Sequence, residues 1–347
     1  MTTIKDVARE ARVSVATVSR VFNDSTVVSE GTRQTVREVA ERLNYWPNGA
    51  ARSLITNRTQ AIGVMLPDLF GEFYSEVLRG MDATARRAGY HLLVFSSHAD
   101  PTELLAGLRM IRGRVDGLIA MAPDLDAQSA IRATADVLPL VLMAPAAGFD
   151  GHETVSIANH QGARLVVRHL ARLGHRRIAT ITGPAHNADA RQRLEGYRAA
   201  LREAGIAAAR ELEIPGDFSE PSGYEAVGRL LQIHPRPTAV FAANDYMAIG
   251  VLGALSDAGV RVPQDIALAG FDDIAMARYL NPALTTVHVD ACRLGEQAVE
   301  RLLQHLGPRP PRAPHHEVLE TTLVVRRSCG SSSARQPRGG TLRKRGR

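Results

Sequence analysis

The chain has 347 residues, 45% of them hydrophobic, and a formal net charge of +6 at neutral pH. That length exceeds one ordinary core, so two or three folding units are expected. Only Cys292 and Cys329 occur, which excludes a disulfide framework or a cysteine-rich metal site. No apolar run is long enough to span a bilayer, and the N-terminus lacks the charged start and apolar stretch of an export signal, so a cytoplasmic protein without a membrane partner is expected.

In chain order, Thr3 and Asp6 stand as a capping box over a first short helix, with Ile4, Val7, Ala8 and Ala11 on its apolar face. After a short turn Ser14 can cap a second helix, whose Val18 and Val21 point inward while Val15, Ala16 and Arg20 lie on the open side. A third helix begins near Ser29 and carries Val36, Val39, Ala40 and Leu43 at helical spacing, with Tyr45, Trp46 and Pro47 expected to stop it. Three stripes of this kind close a small core, and the second helix is then free to enter a major groove.

From Ala61 onward, continuous apolar strands alternate with amphipathic helices. The strands are AIGVMLP, YHLLVFSS, VDGLIAMA and LPLVLMA, then HRRIATITG, TAVFAAN and DIALAGFDD. Such runs predict parallel sheets covered on both faces, and their two sets predict two α/β lobes with a cleft between them. Ligands of open α/β sheets bind beyond the carboxyl ends of the strands, which singles out Asp68, Asn244 and Asp272. Short side chains at these positions also suit helix caps, as Asn244 would for a helix starting at Asp245. Phe73, Tyr74 and Phe218 can offer flat apolar faces to a sugar or a base, and Asn187 and Asp189 can meet hydroxyls at the same rim. Arg193, by sequence context alone, reads as an exposed helical arginine.

Charge is unevenly placed. Residues 1–60 carry a net +3, residues 326–347 carry eight basic groups and no acid, and the stretch between is net −5. A basic head on an acidic body suits a protein that meets nucleic acid at one end. The tail is rich in Gly, Ser, Pro and Arg, has no apolar period, and is expected to be disordered. His315 and His316 look like a metal pair but sit in a Pro-rich loop, where solvated histidines are expected, so no metal and no cofactor is assigned. No Walker loop, HExxH, GxSxG or GxGxxG occurs, and no enzyme activity is expected.

KDVAREARVSVATVSRVFND followed by VSEGTRQTVREVAERLNYWPNGAARSL resembles the N-terminal domain of the lactose-repressor/galactose-repressor family. The resemblance continues through IGVMLPDL, VDGLIA, HLARLGHRRIATITGP, RLEGYRAAL, AANDYMAIGVL and VPQDIALAGFDD to about residue 327. It implies an all-α helix-turn-helix headpiece plus an α/β periplasmic-binding-protein-like sensor of two parallel-sheet lobes. The expected divisions are a headpiece at 1–46, a hinge helix and linker at 47–59, a sensor at 60–328 and a basic tail at 329–347. Within the sensor, lobe 1 is expected at about 60–158 and 290–328, and lobe 2 at about 159–289.

The resemblance implies a transcriptional repressor acting as a homodimer on pseudo-palindromic operator DNA, with an affinity set by a small sugar-like effector. A nucleobase or a partner protein is the alternative signal. On the DNA side, Val15, Ala16 and Arg20 are expected at base edges and Thr17 and Ser19 at phosphates, with Thr3, Ser14, Asn23 and Ala51 completing the surface. Leu54 is implied as a wedge in the minor groove, where unstacking a base step bends the duplex. On the effector side the family pattern moves Arg193, Asn244 and Asp272 toward ligand contact, beside Phe73, Tyr74, Asn187, Asp189 and Phe218. Two departures stand out. Arg12 replaces a turn glycine, a left-handed position that costs a side chain about 1 kcal/mol or more. Ala144 and Ala158 replace polar residues, which predicts a less polar pocket.

Overall fold

The computed structural model describes residues 2–22, 27–46, 58–96, 100–121, 134, 138–144, 151–307 and 313–330. It divides into two compact units, one formed chiefly by residues 1–60 and one by the chain from Ala61 onward.

The first unit holds α1 (Ile4–Glu10), α2 (Val15–Phe22) and α3 (Glu30–Arg42). The Asp6 carboxylate accepts the Thr3 backbone N–H at 3.0 Å, the Ser14 hydroxyl accepts from Thr17 N–H at 3.0 Å, and Ser29 caps α3 by accepting from Thr32 N–H. Each helix thus starts with one of its orphan amides or its capping residue satisfied. Val7, Ala8, Ala11, Val18, Val21, Val36, Val39 and Ala40 form the core, in agreement with the helical spacing. Arg12 does adopt the left-handed backbone, with φ +52°, while Val13 N–H closes α1 on the Ala8 carbonyl at 3.0 Å. The end of α3 differs from expectation. Asn44 at φ +49° turns the chain and Tyr45 N–H bonds the Ala40 carbonyl at 2.8 Å, a Schellman closure. Tyr45 then packs on the core beside Phe22, so it closes the bundle and does not merely interrupt a helix.

The second unit contains two parallel sheets. β1 (Ala61–Leu66), β2 (His91–Ser96), β3 (Gly117–Met121), β4 (Leu140–Met143), β5 (Glu153–Ile157) and β11 (His316–Leu319) form the first, in the order β11-β5-β4-β3-β1-β2. β6 (Ile178–Thr182), β7 (Glu213–Pro215), β8 (Ala239–Ala242) and β9 (Ala267–Ala269) form the second, in the order β7-β6-β8-β9. Central strands such as β3, β4 and β8 are buried at every position, as sheets covered on both faces require. The covering helices are α4 (Glu72–Arg87), α5 (Pro101–Ile111), α6 (Asn159–Arg172), α7 (Ala188–Glu203), α8 (Glu220–Gln232), α9 (Asp245–Asp257) and α10 (Ala291–Leu306). Six of them pack as pairs, α4 on α10, α6 on α7 and α8 on α9, while α5 packs on β2.

The chain passes between the sheets more than once. It leaves β5 at Ala158 to begin α6, returns near Asp290 to begin α10 beside the first sheet, and after β11 reaches β12 (Thr322–Val324), which pairs antiparallel with β10 (Thr286–His288). Residues at the end of the stretch expected in lobe 1 instead touch the second sheet. Leu268 N–H bonds the Ser328 carbonyl at 2.8 Å and the Ser328 hydroxyl bonds Leu268 carbonyl at 2.7 Å. The short strands β7, β10 and β12 carry no periodic signal of their own, since three residues cannot display a pattern.

Candidate functional site

On α2, Val18 and Val21 point into the core, while Val15, Ala16 and Arg20 are solvent-exposed along one face. Thr3 and Ser14 are exposed, and Thr17 and Ser19 are half-buried. Ser14 is committed as the cap of α2, accepting from Thr17 N–H and also bonding the Thr17 hydroxyl, which leaves it either its proton or one lone pair for a further contact. Asn23, Ala51 and Leu54 lie outside the described residues, as do most of the 47–59 segment and residues 331–347.

A cleft of about 420 Å³ opens at the carboxyl ends of the strands in the second unit. All eight expected effector residues line it, from Phe73 and Tyr74 on α4, through Asn187, Asp189 and Arg193 on and before α7, to Phe218, Asn244 and Asp272 on loops of the second sheet. Tyr74 and Phe73 meet edge to face at 5.6 Å. Two of the eight are spoken for locally. The Asn187 side chain caps α7, its Oδ1 accepting from Ala190 N–H at 3.0 Å. Asn244 caps α9 through Met247 N–H at 2.9 Å and gives its amide to the Phe218 carbonyl, also at 2.9 Å. Asp68 likewise turns inward on its own loop, accepting from Leu69 and Phe70 N–H.

Arg193 is the centre of the site and is only 5% exposed, unlike the exposed arginine its sequence context suggests. Its Nε donates to Asn159 Oδ1 at 2.8 Å, its Nη1 donates to the Ala243 carbonyl at 2.5 Å, and Asp272 Oδ1 lies 3.2 Å from the same Nη1. Its guanidinium stacks 3.8 Å above the Phe271 ring, with Phe218 further out at 5.7 Å, a desolvated cation–π arrangement. The Asp272 contact is off-line for hydrogen bonding, so Oδ1 is buried without a hydrogen-bond partner. Asp272 also has φ +108° and is held in that strained backbone by Val287, whose carbonyl accepts its N–H at 2.8 Å. A buried orphan acceptor on a strained residue is the kind of local cost that clusters where ligands bind.

Asp189 is buried and the Asp272 side chain is nearly so, and burial pushes each carboxyl up to about 6 despite the opposing pull of Arg193. Burial likewise holds Tyr74 and Asp245 above their ordinary values. Asp245 is satisfied by the Thr286 hydroxyl at 2.6 Å and Ile274 N–H at 3.0 Å, behind the cleft.

Ala144 and Ala158 do not line the cleft, so neither residue sets its polarity. Asp68, Asp189, Asp217, Asp272 and Glu220 line it against the single guanidinium of Arg193. Sequence reasoning also passed over Asn159, Asp245, Phe271 and Tyr246. Asn159 follows the end of β5 as Asn244 follows β8, so the strand-end rule would have found it had ETVSI been read as a strand. Tyr246 and Glu72 fasten the rim, where Glu72 N–H donates to the Tyr246 hydroxyl at 2.7 Å and Ala275 N–H to Glu72 Oε1 at 2.5 Å. Among the described residues no group of three or more His, Cys, Asp or Glu is placed to hold a metal, and no helix is long and apolar enough to cross a membrane. His316 bonds the Thr154 hydroxyl at 2.7 Å, and His315 lies 3.8 Å from Glu317.

A helical headpiece ahead of a two-sheet unit with a strand-end cleft defines a DNA-binding transcriptional repressor with a periplasmic-binding-protein-like sensor. Residues 3–48 match the bacterial regulatory proteins of the lacI family, and residues 167–329 match the periplasmic binding protein-like domain. The ribose operon repressor of Escherichia coli strain K12 is 40% identical over 309 residues, spanning 88% of this chain and 93% of its own. The HTH-type transcriptional repressor PurR of Haemophilus influenzae strain PittEE is 34% identical, spanning 95% of this chain and 99% of its own. The lac repressor dimer bound to operator and the anti-inducer ONPF superposes with a TM-score of 0.85 at 32% identity, covering 94% of this chain and 99% of that one. A LacI family regulator from Enterococcus faecium with bound ribose gives 0.68 at 27% identity, covering 77% and 98%. The chain belongs to the lacI family of bacterial regulatory proteins.

Proposed function

We propose that this repressor senses a small, neutral, hydroxylated ligand of the sugar class in the cleft, and that the ligand changes its affinity for a pseudo-palindromic operator bound as a homodimer. The observation that carries the reading is the grouping of two largely buried carboxylates, Asp189 and Asp272, around one buried guanidinium, Arg193. Adjacent hydroxyls can donate to the carboxylates and accept from the arginine, while the C–H face of a sugar ring lies on Phe73 or Phe218. The excess of carboxylates over cations at the lining disfavours phosphorylated or acidic sugars. The cavity volume suits a ligand of this size, and a relative named for the ribose operon and a similar structure with bound ribose point the same way. A nucleobase is the second reading, carried by the flat faces of Phe73, Tyr74 and Phe218 around the cleft.

On the DNA side, the exposed row of Val15, Ala16 and Arg20 supports reading of base edges, with Arg20 suited to a bidentate contact with guanine. Thr3, Ser14, Thr17, Ser19 and Asn23 are proposed at or near phosphates, and Ala51 and Leu54 at the minor groove. Exposed apolar side chains, Val94, Leu105 and Met110 near the first sheet and Met276 and Tyr279 near the second, offer a surface to a second copy. The full chain would be used to select its operator from random duplexes. Operator binding would then be measured with ribose, cellobiose, ribose 5-phosphate and adenine. A neutral sugar is expected to change affinity by about fivefold or more. A response to adenine alone or to the phosphate alone overturns the sugar reading, and a monomer at working concentration in sedimentation overturns the dimer.

A further inference from the structure

Asn159 is fully buried at the point where the chain leaves β5 for α6, and it does not itself line the cleft. Its side chain nevertheless joins the two groups that do. Nδ2 donates to Asp189 Oδ1 at 2.8 Å, and Oδ1 accepts from Arg193 Nε at 2.8 Å. The guanidinium can only donate, so the amide orientation is fixed by its partners. No other neutral side chain of this length presents a donor and an acceptor side by side to a carboxylate and a guanidinium one helical turn apart.

The packing around this amide is built to bring the three groups together. A Cβ at Gly196 on α7 would sit 2.2 Å from the His160 carbonyl, so the bare glycine lets α7 lie directly against the first turn of α6. A Cβ at Gly162 would sit 2.8 Å from the Phe271 ring, the same ring that supports Arg193 from below. Asp189 and Arg193 are therefore held from the crossover segment as well as from their own helix.

We infer that Asn159 is a positioning residue of the ligand cleft, presetting Asp189 and Arg193 for a hydroxylated ligand through its two hydrogen bonds. This rests on the sugar reading for the identity of the ligand but not for the role of the residue. The role has a signature that simple packing lacks. In Asn159→Asp the new carboxyl faces Asp189 where an N–H had been, and two carboxylates at hydrogen-bond distance cannot both ionise. While the pair holds a proton, the acid donates to Asp189 and accepts from Arg193 as the amide did. When the proton leaves, the donor is lost and like charges face each other. The charged and titratable groups coupled to Asp189 here are Arg193 on α7, Asp272 after β9 and Tyr74 on α4, and Asp245 on α9 and Asp68 after β1 act in turn on Asp272 and Tyr74.

The test compares the parent, Asn159→Asp and Asn159→Leu as full chains between pH 5 and pH 8. Ribose, cellobiose and adenine serve as probes in calorimetry, and thermal unfolding is followed without any probe. The affinity of Asn159→Asp relative to the parent is expected to be near one at pH 5 and to fall by about tenfold or more by pH 8. Asn159→Leu, which removes a donor to the ionised Asp189 but adds no second carboxyl, is expected to be weaker at every pH and to change with pH less steeply than Asn159→Asp. In unfolding, Asn159→Asp should lose Tm relative to the parent as pH rises, more steeply than Asn159→Leu does. A ratio for Asn159→Asp that stays flat across this range overturns the inference. If the parent binds none of the three probes, the sugar reading fails and the unfolding curves alone decide the role, with parallel curves overturning it.

Discussion

Asp189→Asn is expected to stabilise the ligand-free protein at pH 8 and to leave its stability near pH 4 unchanged. The carboxyl of Asp189 is raised to about 6 by burial, roughly two units above an unfolded aspartate. The native state therefore binds the extra proton between about pH 4 and pH 6, and stability falls as pH rises through that window. At 1.36 kcal/mol per unit the ionised form costs the fold about 3 kcal/mol above pH 7. The amide removes that charge yet keeps an oxygen to accept from Asn159 Nδ2, so the network stays satisfied. The expected gain is of order 2 to 3 kcal/mol, or roughly 5 to 10 °C in Tm for a domain of this size. Urea unfolding of parent and variant at pH 4.5 and pH 8, read by circular dichroism, measures it. Equal effects at both pH values, or a loss of stability at pH 8, would refute the argument that this carboxylate is kept charged at the expense of the fold, a common cost of binding sites.

Further outcomes follow from other parts of the molecule. Arg12→Gly, at φ +52°, should raise headpiece stability by about 1 kcal/mol, seen as a later loss of helix signal on heating; a decrease would show that the arginine side chain does more than tolerate the turn. Arg20→Ala should relax sequence preference at one position per operator half-site, a discrimination of about 1 to 3 kcal/mol, and an unaltered preference in binding-site selection would remove Arg20 from base readout. Gly196→Ala drives a methyl to within 2.2 Å of the His160 carbonyl, so it should displace α7 and destabilise the sensor by about 1 to 3 kcal/mol; a neutral effect on Tm would mean that the helix contact is slack.

The headpiece was legible almost residue by residue, because capping chemistry and helical spacing are local. Thr3, Ser14 and Ser29 each announce a helix start, and the core of Val7, Val18, Val36 and their neighbours follows from periodicity. The central strands were equally plain, being continuous apolar runs. What sequence could not supply was the identity of partners across the fold. Arg193 reads as a surface arginine until Asn159 from one segment and Phe271 and Asp272 from another enclose it. Asn244 ends a strand and Asn187 lies in a rim loop, as ligand residues do, yet their side chains are occupied as caps. Ala144 and Ala158 show the same limit: both follow strand ends, yet neither lines the cleft, whose carboxylates come from other loops and helix starts.

The repeated passage between the two sheets limits how this protein can be rebuilt. Neither lobe is a contiguous run: the first takes β1 to β5, α10 and β11, and the second resumes after Ala158 and receives residues 326–330 at its far edge. A chimera that exchanged one lobe would need three junctions in the backbone, each inside a hydrogen-bonded segment. A recombinant exchange of the DNA-reading part needs a single cut after residue 60. New specificities in this architecture should therefore arise by shuffling whole sensors onto whole headpieces, while the ligand cleft itself can change only by point substitution.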